Sequence, residues 1–132
     1  MSQAADILTG YCAELETGDA GALEQLALDV VFHSPCMQPP APKMMTGLAT
    51  VETSAFNRIL THFFKEFRWT KLEVNAGADP ALAFAPASSR IVQMNGKIYK
   101  NDYTLFSHVK NGKISEHYKF FDAVRATVAF SA

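Results

Sequence analysis

The stretch NGKIYKNDYTLFSHVKNGKISEHYKFFD, residues 95–122, predicts the central part of the fold. Two Asn-Gly pairs, at 95–96 and 111–112, can each supply the positive φ angles of a tight hairpin turn. The segment between them is rich in the aromatic and branched residues that strands favour. We therefore expect three long antiparallel strands. They form the main wall of a cup, and the polar residues inside that cup should decide its chemistry.

Length and composition limit the classes of protein to which the chain can belong. Its 132 residues suit one domain with one core, and 48% hydrophobic with 19% charged residues is typical of a soluble globular protein. The net charge of −1 argues against a nucleic-acid partner, because phosphate binding favours a strongly basic face. No apolar run approaches the roughly 20 residues of a membrane span, and the N-terminus lacks a signal-peptide pattern. We expect a cytoplasmic protein with no membrane partner.

The sequence predicts no metal and no cofactor. Cys12 and Cys36 belong to no CxxC pair and to no His-rich cluster, so no zinc site is indicated. A cytoplasmic chain would keep both thiols reduced. The chain also has no phosphate-binding loop and no Ser-His-Asp spacing.

Helical patterns dominate the first half of the chain. Apolar residues at helical spacing predict a first helix over residues 2–17, and Asp19 can cap a short second helix that carries Leu23 and Leu26. A third helix is predicted over residues 48–67. Its broad apolar face consists of Val51, Ala55, Phe56, Ile59, Leu60, Phe63, Phe64 and Phe67.

Strand patterns dominate the remainder. Residues 30–34 are predicted to form a short strand that Pro35 stops, followed by a proline-rich loop over residues 35–46. Residues 69–76 alternate as a strand, and a turn then leads to a long strand over residues 82–94. Pro86 should mark a bulge or a sheet edge in that strand. The predicted order is ααβαββββ, with no internal repeat.

This order and several local strings resemble the SnoaL-like branch of the nuclear-transport-factor-2-like superfamily. The matching strings are DVVFHSP at 29–35, Gly47, Tyr99-x-Asn101-x-Tyr103, GKI at 112–114 and YKFFD at 118–122. The similarity covers roughly residues 5–125, and the Tyr-x-Asn-x-Tyr string also resembles the phenazine-biosynthesis A/B subgroup. The resemblance implies an α+β fold and a single domain over residues 1–132. In it, a cone-shaped, curved antiparallel or mixed sheet accompanies three N-terminal helices.

The register of the first hairpin determines which side chains of the predicted strand over residues 82–94 point into the cup. If Asn95-Gly96 is a two-residue turn, Arg90 lies opposite Asn101 and Val92 lies opposite Tyr99. Because side chains alternate along a strand, these residues then share a face with Met94, Tyr103 and Leu105.

The second hairpin leaves two alternatives open. A two-residue Asn111-Gly112 loop places Glu116 and Tyr118 inside the cup, whereas a three-residue loop over residues 110–112 with a bulge places the alternate set inside. That alternate set is Ser115, His117, Lys119 and Phe121. In related epoxide hydrolases and phenazine proteins, the residue two before the Phe-Asp or Phe-Asn pair is a pocket acid. The matching residue here is Lys119, so the resemblance favours the bulged turn.

The candidate site follows from that choice. The candidate catalytic residues are His117, Lys119 and Tyr103, and the candidate ligand-binding residues are Tyr11, Ser34, Arg90, Asn101, Met94 and Phe121. His117 is the only one whose ordinary pKa suits general-base work near neutral pH. The resemblance makes Tyr11 the counterpart of the isomerases' oxyanion-binding tyrosine. It also places Ser34 where ketosteroid isomerases carry an Asp before a proline. A neutral hydroxyl cannot act as that base unaided, so we expect little ketosteroid isomerase activity.

Two classes of function fit these residues. The first is binding of a small, mostly apolar, oxygen-bearing molecule, anions included, with cofactor-free isomerase, cyclase or dehydratase chemistry as the reactions to test. The superfamily contains all of these activities, and fold alone does not imply function. The alternative is a non-catalytic interaction or carrier protein with a filled cavity. Apolar residues on both faces of the long strands imply that both faces are covered, which predicts a homodimer through the outer face.

Overall fold

The computed structural model describes residues 3–17, 21–39, 41–54 and 64–130. The helices are α1 (Gln3–Thr17), α2 (Gly21–Glu24), α3 (Leu48–Val51) and α4 (Ala123–Phe130). The strands are β1 (Leu26–His33), β2 (Met44–Thr46), β3 (Phe64–Leu72), β4 (Asn75–Ala76), β5 (Leu82–Gln93), β6 (Ile98–Lys110) and β7 (Lys113–Phe121). Helices come first and a strand meander follows, as the sequence predicts. The α+β class is confirmed.

One curved, mixed sheet carries the fold. Its strand order is β2-β1-β7-β6-β5-β3, and β4 pairs with β5. The β1–β7 pair is parallel and the other pairs are antiparallel. Helix α1 packs against one face, which we call the inner face, and buries Leu8, Tyr11 and Cys12 there. Along β6 the odd-numbered residues from Tyr99 to Val109 are all buried, so this strand presents every second side chain to the core.

The third helix is the largest error of the sequence prediction. Helix α3 covers Leu48–Val51, whereas Phe64 and Phe67 belong to strand β3. The predicted helical residues Ala55, Phe56, Ile59, Leu60 and Phe63 lie outside the described residues, as does His62. A dense apolar run satisfies helix and strand periods alike, and pairing with β5 decides the conformation of its last part.

Other boundaries also moved. Leu26 begins β1 and is not helical, the proline-rich loop contains the short strand β2, and helix α4 was not predicted. Pro86 lies on an interior strand, not an edge strand, because β5 is flanked on both sides. It lies where the neighbouring strand breaks between β3 and β4, and its carbonyl accepts the Glu73 backbone N–H at 3.1 Å. A proline is tolerated there because the ladder is already interrupted.

The first hairpin has a three-residue loop, so the predicted two-residue turn is wrong. The Gln93 N–H donates to the Lys97 carbonyl at 2.8 Å, and Gly96 takes a φ of 84°. This is the pattern of a type I turn followed by a left-handed glycine. The register therefore shifts by one residue and pairs Ser89 with Asn101. A shift of one residue sends every side chain of β5 to the opposite face from the predicted one.

The second hairpin combines features of both alternatives. Asn111 and Gly112 have φ values of 54° and 75° in a two-residue loop, and Lys110 pairs with Lys113. The predicted three-residue loop is therefore wrong. The register then shifts beyond Ile114, where the Ser115 hydroxyl donates to the His108 carbonyl at 2.9 Å. This bulge lies inside β7. It turns His117, Lys119 and Phe121 inward, as the preferred alternative predicted, but through a different device, and Ile114 is the buried residue before the bulge in place of the predicted Ser115.

None of the helices in the described parts of the chain is long and apolar enough to cross a membrane.

Candidate functional site

The inner face gathers polar side chains from five elements. They come from α1, the end of β1, and alternate positions of β5, β6 and β7. The members are Tyr11, Ser34, Ser89, Tyr99, Asn101, Tyr103, Ser107, His117 and Lys119. They form one group around His117 and Lys119 and another around Tyr99 and Tyr103.

His117 is enclosed by protein and is electrically neutral near neutral pH. The ring is 3% exposed, and its Nδ1 lies 2.7 Å from the hydroxyl oxygen of Ser107, which is fully buried. The ring centroids of Tyr11 and Phe32 both lie 5.2 Å from that of His117. Burial, helped by the positive charge of Lys119, lowers the pKa of His117 to about 3. The imidazole is therefore a weak base and a good neutral hydrogen-bonding group, unlike the neutral-pH base that its ordinary pKa predicts.

Tyr11 contributes a neutral phenol to the same group. The side chain is 4% exposed in the core between α1 and the sheet. Burial raises the pKa of Tyr11 above its ordinary range, and the neighbouring Cys12 raises it further. The phenol therefore keeps its proton near neutral pH.

Lys119 is a half-buried amine with an apolar neighbourhood. Its Nζ lies 5.5 Å from the centroid of the Phe121 ring, and its backbone partner on β6 is Leu105. Burial lowers the pKa of Lys119. Within the described parts of the chain, no carboxylate lies within ion-pairing distance of this amine. The amine thus lacks the counter-charge that usually accompanies a buried lysine.

Ser34 follows the end of β1. Strand β1 runs parallel to β7, with Phe32 paired to His117 and His33 paired to Tyr118. The buried Ser34 comes one residue after the last of these pairs, and its backbone N–H donates to the Lys43 carbonyl at 2.7 Å.

The second group is a network of hydroxyls. The Tyr103 hydroxyl oxygen lies 2.9 Å from that of Ser89, and both residues are buried. The Tyr103 ring meets Trp69 edge-on at 5.7 Å, and the Trp69 Nε1–H donates to the Cys12 carbonyl at 2.9 Å. Burial raises the pKa of Tyr103, and the nearby Tyr99 raises it further. Tyr103 therefore presents a neutral phenol. The ring of Trp69, which is hydrogen-bonded to α1, and the hydroxyl of Ser89 hold it in place.

Asn101 joins β6 to the start of α4. Its amide nitrogen donates to the Tyr99 hydroxyl at 2.7 Å and to the Asp122 carbonyl at 3.0 Å. Its oxygen accepts the backbone N–H groups of Asp102 at 2.8 Å and Asp122 at 3.0 Å. An asparagine amide has two N–H donors and two acceptor sites, so this one is fully occupied. The side chain acts as a structural clip, and its hydrogen bonds within the protein leave no free position for the predicted ligand contact.

Arg90 and Met94, in contrast, lie outside the inner face. Arg90 is exposed and lines a shallow groove with Ile98, Lys100 and Arg125, and Met94 is 55% exposed in the first hairpin loop. Both placements were predicted from a two-residue turn, and the three-residue loop reverses them. In their place the strand turns Ser89, Ile91 and Gln93 inward.

The one acidic residue of β7, Glu116, faces outward. Glu116 accepts a hydrogen bond from His33 at 3.0 Å, and the His33 ring stacks on Tyr118 at a centroid distance of 4.0 Å. Phe121, in contrast, faces inward beside Lys119. The described residues contain no group of three or more His, Cys, Asp or Glu side chains that could hold a metal ion.

Ser89 and Ser107 were missed by sequence reasoning. Ser107 has the parity of Tyr103 and Leu105 along β6, so alternation alone was a usable signal. Ser89 had no such signal, because the expected register of the first hairpin assigned it to the other face.

Solved structures show the same fold at low sequence identity. One is a protein from Bacillus subtilis that has been provisionally assigned as an isomerase. It has a TM-score of 0.84 and 19% identity, and the match covers 97% of this chain and 92% of that one. A phenazine biosynthesis-related protein from Pseudomonas aeruginosa has a TM-score of 0.77 and 16% identity, over 96% of this chain and 84% of that one. TerC, co-crystallised with polyporic acid, has a TM-score of 0.78 and 15% identity, over 97% of this chain and 98% of that one.

No curated protein sequence matches the chain significantly. A family model does match it: the model of the SnoaL-like domain covers residues 8–117, which is most of the chain. That span runs from the buried Leu8 of α1 to His117 on the inner face, so it includes most of the candidate site, and Lys119 and Phe121 lie just beyond it. The chain therefore belongs to the SnoaL-like family and has the nuclear-transport-factor-2-like fold.

Proposed function

We propose that this protein binds a small, mostly apolar, oxygen-bearing anion against the inner face of the sheet, and that Lys119 recognises its negative charge. The observation that carries the proposal is a half-buried amine beside an aromatic ring with no carboxylate partner among the described residues. A carboxylate, enolate or phenolate supplies the missing counter-charge. An apolar wall with a few convergent polar groups is the usual form of a small-molecule site.

The ligand of a structural neighbour agrees with this chemistry. TerC was co-crystallised with polyporic acid, whose name marks it as an acid. This chain shares the fold of TerC across nearly its whole length. An organic acid is therefore the first ligand class to test.

The same groups support cofactor-free chemistry at a carbon next to a carbonyl. The Lys119 ammonium and the Tyr103 phenol can stabilise the negative charge that develops on an enolate oxygen. His117 is neutral and hydrogen-bonded to Ser107, so it can orient a ligand oxygen or relay a proton. Isomerase, cyclase and dehydratase reactions that begin next to a carbonyl can proceed through such enolates, and they are the activities that we propose to assay.

Replacing Lys119 with methionine should weaken binding of an aromatic carboxylate by at least about tenfold, or roughly 1.4 kcal/mol. Methionine keeps much of the side-chain length and removes the charge, so the aromatic contact with Phe121 is largely preserved. The measurement is titration calorimetry of 2-naphthoate with the wild type and with Lys119→Met. Its neutral counterpart, 2-naphthylmethanol, should bind both proteins with affinities within about twofold of each other.

The matched control is Lys100→Met. Lys100 is an exposed lysine on the adjacent strand β6 and points to the other side of the sheet. This variant should bind 2-naphthoate as the wild type does. Equal losses in the two variants would mean that general surface charge, and not Lys119, attracts the acid. Lack of wild-type binding to any of a panel of aryl acids would reject the proposal.

A specific observation also favours the homodimer through the outer face. Phe84 and Phe120 are each 40% exposed there, and Phe106 meets Tyr118 edge-on at 5.9 Å between them. Such a contiguous aromatic surface is unusual on a free monomer. A second copy of the chain would cover it, and a stable pair buries at least about 1,000 Å² in total. This arrangement is compatible with both a ligand-binding enzyme and a non-catalytic carrier.

Light scattering at micromolar concentration should give twice the chain mass of 14.5 kDa. The double variant Phe84→Glu, Phe120→Glu should give the monomer mass, because it places charges in the centre of the aromatic surface. Val128→Glu alters an exposed apolar residue on α4 and should leave the dimer intact. A monomeric wild type would reject the homodimer.

A further inference from the structure

We propose that Lys119 is also a nucleophile, and that its half-buried amine forms a reversible imine with an aldehyde or ketone bound at the inner face. Carbonyl compounds would then be the substrate class of the site. The inference rests on the proposed function in one respect only, because it needs the same inner face to admit a small apolar molecule.

The surroundings of Lys119 leave its amine available. The amine lies over the Phe121 ring, and the backbone partner of Lys119 on β6 is Leu105, neither of which carries a charge. A cation–π contact favours the ammonium form by only about 0.5–2 kcal/mol, and once the amine has lost its proton its lone pair is free to react. Lysines that are tied to a carboxylate lack this freedom, because the ion pair holds them as ammonium.

No titratable group on the described part of the inner face supplies negative charge near neutral pH. Burial raises the pKa of Tyr11 and Tyr103, raises that of Cys12 to about 12, and lowers that of His117 to about 3. All four side chains are therefore neutral. The acidic residues of β6 and β7, Asp102 and Glu116, lie on the outer face.

This environment increases the share of reactive, neutral amine. An ordinary lysine with a pKa of about 10.4 is only about 0.04% neutral near pH 7. Each unit by which its pKa falls raises that share about tenfold. Burial lowers the pKa of Lys119, and desolvation of an amine in an apolar pocket is a known route to nucleophilic lysines.

The step balances with the atoms at hand. The neutral amine attacks the carbonyl carbon, a C–N bond forms, and the carbonyl π electrons move to oxygen. The oxygen takes a proton that nitrogen releases, which gives a carbinolamine. Loss of that hydroxyl as water, after protonation, leaves a C=N bond, and addition of water reverses the reaction. Ser34, a buried residue one position beyond the His33–Tyr118 pair, is the candidate hydroxyl to hydrogen-bond the carbinolamine oxygen.

An imine would also allow proton removal from the substrate by the weak bases of this site. A protonated imine draws electrons from the neighbouring carbon more strongly than the parent carbonyl does, so a weaker base suffices to remove a proton there. The described inner face offers no carboxylate, and His117 is a weak base. Covalent activation through Lys119 would thus supply what the acid–base residues lack.

Reductive trapping on the wild-type protein tests the inference. The protein is incubated near neutral pH with limiting 2-naphthaldehyde and sodium cyanoborohydride, and labelled lysines are located by peptide mass spectrometry. Lys119 should be labelled at least about tenfold more than the exposed Lys100, in line with its larger neutral fraction. An excess of 2-naphthoate should suppress labelling of Lys119 and leave that of Lys100 unchanged. Lys119→Arg, which keeps the cation, should lose the preferential label.

The outcomes separate the two proposals. Equal labelling of Lys119 and Lys100 in a protein that binds 2-naphthoate overturns the imine and leaves anion binding in place. Preferential labelling of Lys119 in a protein that binds no aryl acid supports the imine and rejects anion binding. Uniform labelling together with no acid binding rejects both.

Discussion

Acidification from neutral pH to about pH 3.5 should cost the folded protein about 4 kcal/mol through His117 alone. The pKa of this histidine falls from 6.5 to about 3 on folding, chiefly because the ring is desolvated. Between these values the unfolded chain binds a proton that the folded protein does not, so stability decreases as the pH falls through this window. Below about 3 both states are protonated and the loss is complete. A loss of this size is a large part of the 5–15 kcal/mol that stabilises an ordinary domain.

The measurement is urea unfolding at a series of pH values, for the wild type and for His117→Gln. Between about pH 6 and pH 4, the free energy of unfolding of the variant should fall less steeply, by about 1.4 kcal/mol per pH unit. His108→Gln is the control, since it removes a histidine from the other side of β6 and leaves the Ser107–His117 pair in place. Identical pH slopes for wild type and His117→Gln would show that His117 is not held neutral by the fold.

Replacing Asn101 with leucine should destabilise the protein by about 3 kcal/mol or more. Leucine has nearly the same shape as asparagine but makes none of its four hydrogen bonds. The backbone N–H and C=O of Asp122 and the Tyr99 hydroxyl would lose partners in a region where Asn101 is 1% exposed. Each buried polar group left without a partner costs about 1–3 kcal/mol.

The loss of stability should extend to helix α4, because Asp122 caps the N-terminus of this helix. The Asp122 carboxylate accepts the N–H groups of Val124 and Arg125, and Phe130 at the far end of the helix packs on Tyr99 at 5.7 Å. Asn75→Leu is the control, since Asn75 makes a single exposed hydrogen bond to the Glu73 carbonyl. Urea unfolding should place that variant within about 0.5 kcal/mol of wild type. A loss of the same size for Asn101→Leu would show that the clip contributes little.

The inward orientation of His117 and Lys119 agrees with the predicted strand parity, although part of the reasoning behind that parity was wrong. The expected three-residue loop is absent, yet both side chains face inward, because the bulge near Ser115 adds the same one-residue offset inside β7. The resemblance to related pocket acids supplied the correct parity. The turn sequence alone did not decide which of the two faces of β7 points into the cup.

Arg90 shows the converse case. Asn-Gly is a strong signal for a hairpin, and a hairpin formed, but the dipeptide does not specify whether the loop holds two residues or three. The three-residue loop buries Ser89, Ile91 and Gln93 and exposes Arg90 and Met94. Burying these uncharged side chains in place of an arginine avoids the free-energy cost of desolvating a guanidinium group. That cost arises only when the sheet packs and one of its faces is buried.

The sequence by itself determined the α+β class, the helix-then-meander order, the two hairpins and the family, since apolar periodicity, Asn-Gly turns and local strings are properties of neighbouring residues. The tertiary structure alone decided the loop lengths, the strand identity of Phe64 and Phe67, the Asn101 clip, and the neutral state of His117. These depend on pairing and desolvation between residues far apart in the chain. Such interactions are formed only when the strands and α1 pack together, because burial, not residue type, decides which polar group keeps its charge.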